Sequence, residues 1–267
     1  MPAESDRPGP TLRVLMIGDV VGKLGRQVLA QVVPELRRQH SLDLVIANGE
    51  NAAGGKGLTP DTAQEILAAG VDVITSGNHI WQHREIYPLL DGDWPILRPL
   101  NYPEGAPGKG LWCRDGVAVL NLQGRVFMPH QIDCPFRAAD RALGRLGDAR
   151  VVVVDIHAEA TSEKVALGWY LDGRVSAVLG THTHVPTADA RLLPGGTAYV
   201  SDVGMTGARD SVIGVEVEPV VQHFLYQVPA RLPAVDRGPA VLNAVLVEID
   251  AASGRALAIR RLDCEVA

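Results

Sequence analysis

The chain has 267 residues, 46% of them hydrophobic, 21% charged and 4% aromatic, with 25 basic against 31 acidic side chains and a formal charge of −6. This is an ordinary globular composition, long enough to bury a core without disulfide staples as one large α/β domain or two small ones; no Ser/Gly linker marks a boundary, so one domain over residues 1–267 is expected. The apolar stretches are far shorter than the ~20 residues a bilayer core requires, which excludes a membrane span, and the acidic balance is opposed to a stable complex with nucleic acid.

Residues 1–11 carry charges and prolines without an apolar core, which suggests a flexible leader and not a signal peptide. Cys113, Cys134 and Cys264 are odd in number and form no C-x-x-C pair. They read as buried apolar thiols in a reducing cytoplasm.

The first half alternates strands and helices. A strand over residues 12–17 ends in Gly18-Asp19, and residues 26–39 show helical spacing through Val28, Leu29, Val32, Val33 and Leu36. A second strand, 42–47, ends in Asn48-Gly49-Glu50-Asn51. A glycine-rich turn then leads to a helix with Thr59 as N-cap, Pro60 at its first position and Gly70 as its stop. A third strand, 71–75, ends in Ser76-Gly77-Asn78-His79. Residues 91–110 are rich in Pro and Gly and read as a long loop. A strand at 117–122, a helix at 135–146 and a strand at 150–156 follow, the last carrying four consecutive valines suited to burial on both faces. A helix at 162–171 and a strand at 175–179 lead to Gly180-Thr181-His182-Thr183-His184. The remainder, with Gly-containing turns at 194–196 and 253–254 between alternating segments, reads as antiparallel hairpins.

The turn from Gly18 to Gly25 follows a strand and precedes a helix, but its glycines do not have dinucleotide-fingerprint spacing. It also fails as a Walker A loop, since Leu24 stands where a metal-binding Ser or Thr is needed. Asp19 is the better clue, because a carboxylate beside a phosphate site repels the ligand unless a metal lies between them. Asp19, Glu50, Asn51, Asn78, His79, His157, His182 and His184 all follow strands. In an open α/β sheet such positions share the ligand-binding edge. An extended chain through residues 182–184 would point both histidines the same way. This many O and N donors exceeds one tetrahedral ion and suits two ions sharing a carboxylate, with Mn, Fe or Zn favoured over Ca or Mg.

Five segments carry a resemblance: Ile-Gly-Asp-Val-Val-Gly (17–22), Ala-Asn-Gly-Glu-Asn-Ala-Ala-Gly-Gly (47–55), Ser-Gly-Asn-His (76–79), Asp-Ile-His-Ala-Glu-Ala-Thr-Ser-Glu-Lys (155–164) and Gly-Thr-His-Thr-His-Val-Pro-Thr (180–187). Together they resemble the YmdB-like branch of the calcineurin-like metallophosphoesterases. Val21 stands where the wider superfamily has a histidine and Glu50 where it has a bridging aspartate, departures that the branch shares. The resemblance implies a layered α/β/β/α sandwich with its site at C-terminal strand ends. It further implies one metal on Asp19, Glu50, Asn51 and His184, and another on Glu50, Asn78, His157 and His182. His79 would be the proton donor, and the centre would hold two divalent or mixed-valence ions, iron or manganese, with zinc an alternative.

The implied reaction is hydrolysis of 2′,3′-cyclic nucleotides, with 3′,5′-cyclic ones as a further class, by attack of a metal-bound hydroxide on phosphorus. Two divalent ions less two carboxylates and one hydroxide leave about +1, which attracts a small phosphodiester to an acidic protein. Hydrolysis of carbonyl esters or amides by the same hydroxide and non-enzymatic sensing of a cyclic nucleotide are the alternatives. Lys56, Trp81, Arg125, Thr161 and Ser162 are weaker candidates for substrate contact and His83, one helical turn after His79, for supporting the site from behind, while His40, His130 and His223 show no partner pattern. A homo-oligomer is left open.

Overall fold

The computed structural model describes residues 10–267. Of the leader expected over residues 1–11, residues 1–9 lie outside the described residues. Its last two positions belong to the fold instead: Thr11 opens β1 (Thr11–Ile17) opposite Asp250, and the Pro10 carbonyl accepts the Ala251 amide.

After β1 come β2 (Asp19–Val20), α1 (Gly22–His40), β3 (Leu44–Asn48), α2 (Pro60–Ala68) and β4 (Val73–Thr75). Thr59 caps α2 as its sequence indicates, and its own amide donates in return to the Thr62 hydroxyl. A 3-10 turn at Arg84–Ile86 and α3 (Tyr87–Asp91) precede the expected irregular loop, which is tied down where Ile96 bridges Ile74 and Leu97 bridges Lys109. Next are β5 (Leu111–Arg114), β6 (Val117–Gln123), α4 (Pro135–Leu143), β7 (Val151–His157), α5 (Thr161–Leu171) and β8 (Ala177–Thr181).

The last part departs from the expected run of hairpins. β9 (Arg191–Leu192) and β10 (Ala198–Val200) do pair antiparallel, but β10 also lies parallel to β8. β11 (Met205–Ala208) is followed by a helix, α6 (Val217–Tyr226), with Pro219 in its first turn. The β-branched and aromatic content of that segment mimics a strand. The apolar run 241–249 is broken at Asn243 into β12 (Ala240–Leu242) and β13 (Ala244–Asp250), which belong to different sheets. β14 (Ala256–Arg261) and β15 (Cys264–Val266) complete the chain.

Two sheets lie face to face between helices. One has the order β14-β13-β1-β3-β4 and the other β5-β6-β7-β8-β10-β9, while a smaller sheet, β15-β12-β11-β2, flanks them. Side chains alternate along each strand, so β1 sends Val14 and Met16 toward Val153 and Leu179 of the opposing sheet, and Leu15 and Ile17 toward α1 and α2. On the far side, Val152, Val154 and Ile156 pack under α4 and α5. This is the α/β/β/α layering. It explains the valine run of β7, which is buried on both faces.

The cysteines are corrected by their positions. Cys113 is exposed on the edge strand β5, Cys264 is half-buried on the edge strand β15, and Cys134 is half-buried before α4; all three are free thiols.

Candidate metal centre

The two large sheets present their C-terminal strand ends to one place. Asp19 follows β1, Glu50 and Asn51 follow β3, and Asn78 and His79 follow β4, all from the first sheet. His157 ends β7, and His182 and His184 follow β8, from the second. Gly77 is required for this approach, because a Cβ there would collide with the His157 ring and the Glu50 carboxylate.

His157 Nε2 is the hub of the cluster. It lies 3.1 Å from Glu50 Oε1, 3.2 Å from Asn78 Oδ1 and 3.0 Å from His182 Nδ1. Lone pairs therefore converge on a space that one proton cannot satisfy, and the ligand atoms of Glu50, His157 and His182 all lie within 4.8 Å of one another. On the other side of Glu50, the Asn51 amide is 3.3 Å from Glu50 Oε1 and 3.1 Å from His184 Nε2. Asp19 Oδ1 lies 3.8 Å from that same imidazole nitrogen; it is buried and has no hydrogen-bond partner. An orphaned buried carboxylate oxygen costs several kcal/mol unless a cation meets it (about 1–3 kcal/mol even for a neutral group). The donor set therefore fits divalent cations on both sides of Glu50.

The histidine-bearing turn is not extended. His182 and His184 have φ of 100° and 65°, left-handed values that cost ~1–3 kcal/mol each in a non-glycine residue. Asp202 holds that conformation: its Oδ2 accepts the Thr183 amide at 3.1 Å and the Thr183 hydroxyl at 2.7 Å, and pairs with Lys164 Nζ at 2.8 Å. Both partners of this ion pair are buried. The His182 amide, in turn, donates to Asp19 Oδ2 at 3.0 Å.

Other side chains set the ring orientations. Thr181 Oγ1 donates to Asp155 Oδ1 at 2.7 Å, so it accepts from His157 Nδ1, 2.9 Å away, and turns Nε2 into the site. His182 Nε2 faces Glu159 Oε2 at 3.2 Å, and His184 Nδ1 faces the Ile213 carbonyl at 2.8 Å. Sequence alone assigns no role to Glu159, Asp155, Lys164 or Asp202. The first two carry a signal, each being two residues from His157, whereas Asp202 and Lys164 meet only through the fold.

The charge balance calls for cations. Asp19, Glu50, Asp155 and Asp202 are buried around the site, with Lys164 as the buried cation among them. Burial pushes Asp19 above the usual carboxylate range, and it pushes Asp155, which is bonded by neutral hydroxyls, to about 6. Burial raises Glu50 too, but the His157 and His79 imidazoles outweigh it and hold Glu50 well below the usual range. Burial would lower His157, yet Glu50, Asp19 and Asp155 raise it to about 9. Burial and the neighbouring His157 push His182 down to about 3. The carboxylates around His157 thus favour positive charge at its Nε2.

His79 is half-buried at the wall of a cavity of about 600 Å³. Its amide donates to Glu50 Oε2 at 3.1 Å, and its Nδ1 lies 3.1 Å from Asn51 Oδ1 and 3.3 Å from Glu50 Oε1, which leaves Nε2 for the cavity. Lys56 and His83 also line the cavity, the latter with Nε2 on the Lys56 carbonyl. Trp81 is packed edge-on between Tyr87 and Tyr102 against the core. His40 and His223 bond Arg260 and the Val228 carbonyl away from the site.

A face-to-face α/β/β/α sandwich, with carboxylate, amide and imidazole donors gathered at its C-terminal strand ends, defines the metallophosphoesterase class. Residues 15–262 match the family described as YmdB-like protein, and the chain belongs to that family. It is 46% identical to the 2′,3′-cyclic-nucleotide 2′-phosphodiesterase of Bacillus subtilis (strain 168), over 94% of this chain and 96% of that protein. It is also similar to two crystal structures at a TM-score of 0.90. One is a hypothetical protein from Thermus thermophilus, at 48% identity over 96% of this chain and all (100%) of that one. The other is a novel phosphatase from Mycoplasma pneumoniae, at 32% identity over 96% of this chain and 94% of that one.

Proposed function

We propose that the protein is a cytoplasmic, single-domain, metal-dependent phosphodiesterase that hydrolyses 2′,3′-cyclic nucleotides, with 3′,5′-cyclic ones as a further class. The observation that carries this reading is the convergence of acceptor atoms on His157 Nε2 beside the unpartnered Asp19 Oδ1. The activity of the Bacillus subtilis relative supports the substrate class.

One ion would be held by Asp19, Glu50, Asn51 and His184, which requires Asn51 to turn its Oδ1 toward His184. The other would be held by Glu50, Asn78, His157 and His182, with Glu50 shared. The mixed oxygen and nitrogen donors suit iron or manganese, with zinc as the alternative. Such a pair supplies Lewis acidity to phosphate oxygens and lowers the pKa of water toward ~7.

The chain's own groups do the rest. Glu50 Oε1 holds the Nδ1–H of His79 and leaves Nε2 to face the cavity, so the doubly protonated ring would give its Nε2 proton to the leaving alkoxide; such general acid catalysis contributes ~10²–10⁴-fold. The cavity has the volume of a small-ligand site and suits one nucleotide. The protein reconstituted with iron, manganese or zinc is to be assayed against 2′,3′-cyclic AMP, 3′,5′-cyclic AMP and simple carboxylic esters. Turnover of the cyclic diesters and not of the esters is expected; no phosphodiester turnover with metal verified overturns the proposal.

A further inference from the structure

The cavity also has an apolar lining, and its most unusual member is Ile213, the neighbour of His184. Val212 and Val215 exchange both backbone hydrogen bonds, at 3.0 and 3.1 Å, so Ile213 and Gly214 form the two-residue tip of a tight hairpin. Both have positive φ, 49° and 100°, the pattern of a type I′ turn. Gly214 is where it must be, since a Cβ there would come within 2.6 Å of Val21 Cγ1. At the first tip position, Asn, Asp or Gly is the ordinary occupant, and a β-branched side chain is a backbone outlier. The fold gains no core from this isoleucine: it is 49% exposed and lines the cavity beside Val215 and Leu232. Its carbonyl meanwhile holds His184 Nδ1, so the tip stands in fixed relation to the donor cluster.

We infer that Ile213 is a specificity-determining residue: its strained position keeps an apolar side chain where the nucleobase of a substrate anchored by its phosphate packs. The inference rests on the phosphodiesterase reading and deepens it, naming nucleoside cyclic phosphates over base-less cyclic diesters as the preferred class. A side chain lost from an apolar contact with substrate is felt mainly as discrimination, of the order of tenfold. Asn at the same position suits the turn and keeps the carbonyl that His184 uses.

The test compares wild type and Ile213→Asn, each metal-loaded, on 2′,3′-cyclic AMP and on methyl riboside 2′,3′-cyclic phosphate, which has a methoxy group in place of the base. The expected result is a fall of about tenfold in the ratio of the two kcat/KM values, carried by KM for the nucleotide. The melting temperature should rise by about 2–4 °C as the strain is relieved. An unchanged ratio, or equal losses on both substrates, overturns the inference, as does a melting temperature that falls. Wild-type turnover of the methyl riboside diester at the efficiency of the nucleotide overturns it while leaving the phosphodiesterase reading intact; turnover of neither overturns both.

Discussion

Glu159 Oε2 lies 3.2 Å from His182 Nε2, on the side of the ring opposite the Nδ1 that meets His157. A carboxylate on the far nitrogen fixes the tautomer and makes the near nitrogen a stronger donor. Glu159→Ala should therefore weaken binding of the ion at His182 by about 10–100-fold, with Glu159→Gln, which keeps an acceptor, losing less. Metal titration followed by elemental analysis measures this. Equal affinity in all three proteins would show that Glu159 is only a residue of the cavity rim.

Glu50 stands between the two halves of the donor cluster, with Oε1 within 3.3 Å of His157, His79 and Asn51. Glu50→Gln removes one of the two carboxylates that would neutralise the ions and leaves the second ion without its shared donor. Both metal content and activity should fall together, from two equivalents toward one or none. Two tightly held equivalents with normal turnover would rule out the bridging role.

His79 separates chemistry from metal retention. It touches the cluster only through Asn51 and Glu50, so His79→Ala should keep both ions while kcat falls by ~10²–10⁴. The loss should shrink for a substrate whose leaving group is a good one, such as a nitrophenyl diester, because less protonation is needed. A uniform loss across leaving groups would make His79 a positioning residue instead.

Much of this site is legible along the chain because its polar residues interrupt apolar strands: nothing in a buried strand explains Asp19, Glu50 or His157 at its end. Less was legible where long-range pairing decides. Residues 241–249 look like one strand, and only the pairing of β12 with β11 and of β13 with β1 shows the break at Asn243, whose amide side chain fills it by bonding Met205. His182 and His184 line one cavity, but not through the extended backbone that the i, i+2 rule assumes. Their left-handed φ depends on Asp202, a residue distant in sequence and itself held by Lys164. The helix α6 was hidden by β-branched residues that favour strands in isolation.

The pH dependence of the metal-free protein follows from His157. Its folded pKa, raised to about 9 by Glu50, Asp19 and Asp155 against the cost of burial, exceeds the ordinary 6.5. A group whose folded pKa is raised stabilises the fold fully below its unfolded pKa, and that stability is lost as pH climbs through the folded value. Metal-free protein should therefore melt at progressively lower temperature between pH 6.5 and 9. The metal and the proton compete for the same nitrogen. Binding the ion at pH 7 should then release a proton, seen by calorimetry as an enthalpy that varies with the ionisation enthalpy of the buffer, and affinity should rise with pH until His157 is neutral. His157→Gln should abolish both the buffer dependence and the alkaline loss of stability. If metal-free wild type melts at the same temperature across this window, then His157 is not the group that balances Glu50.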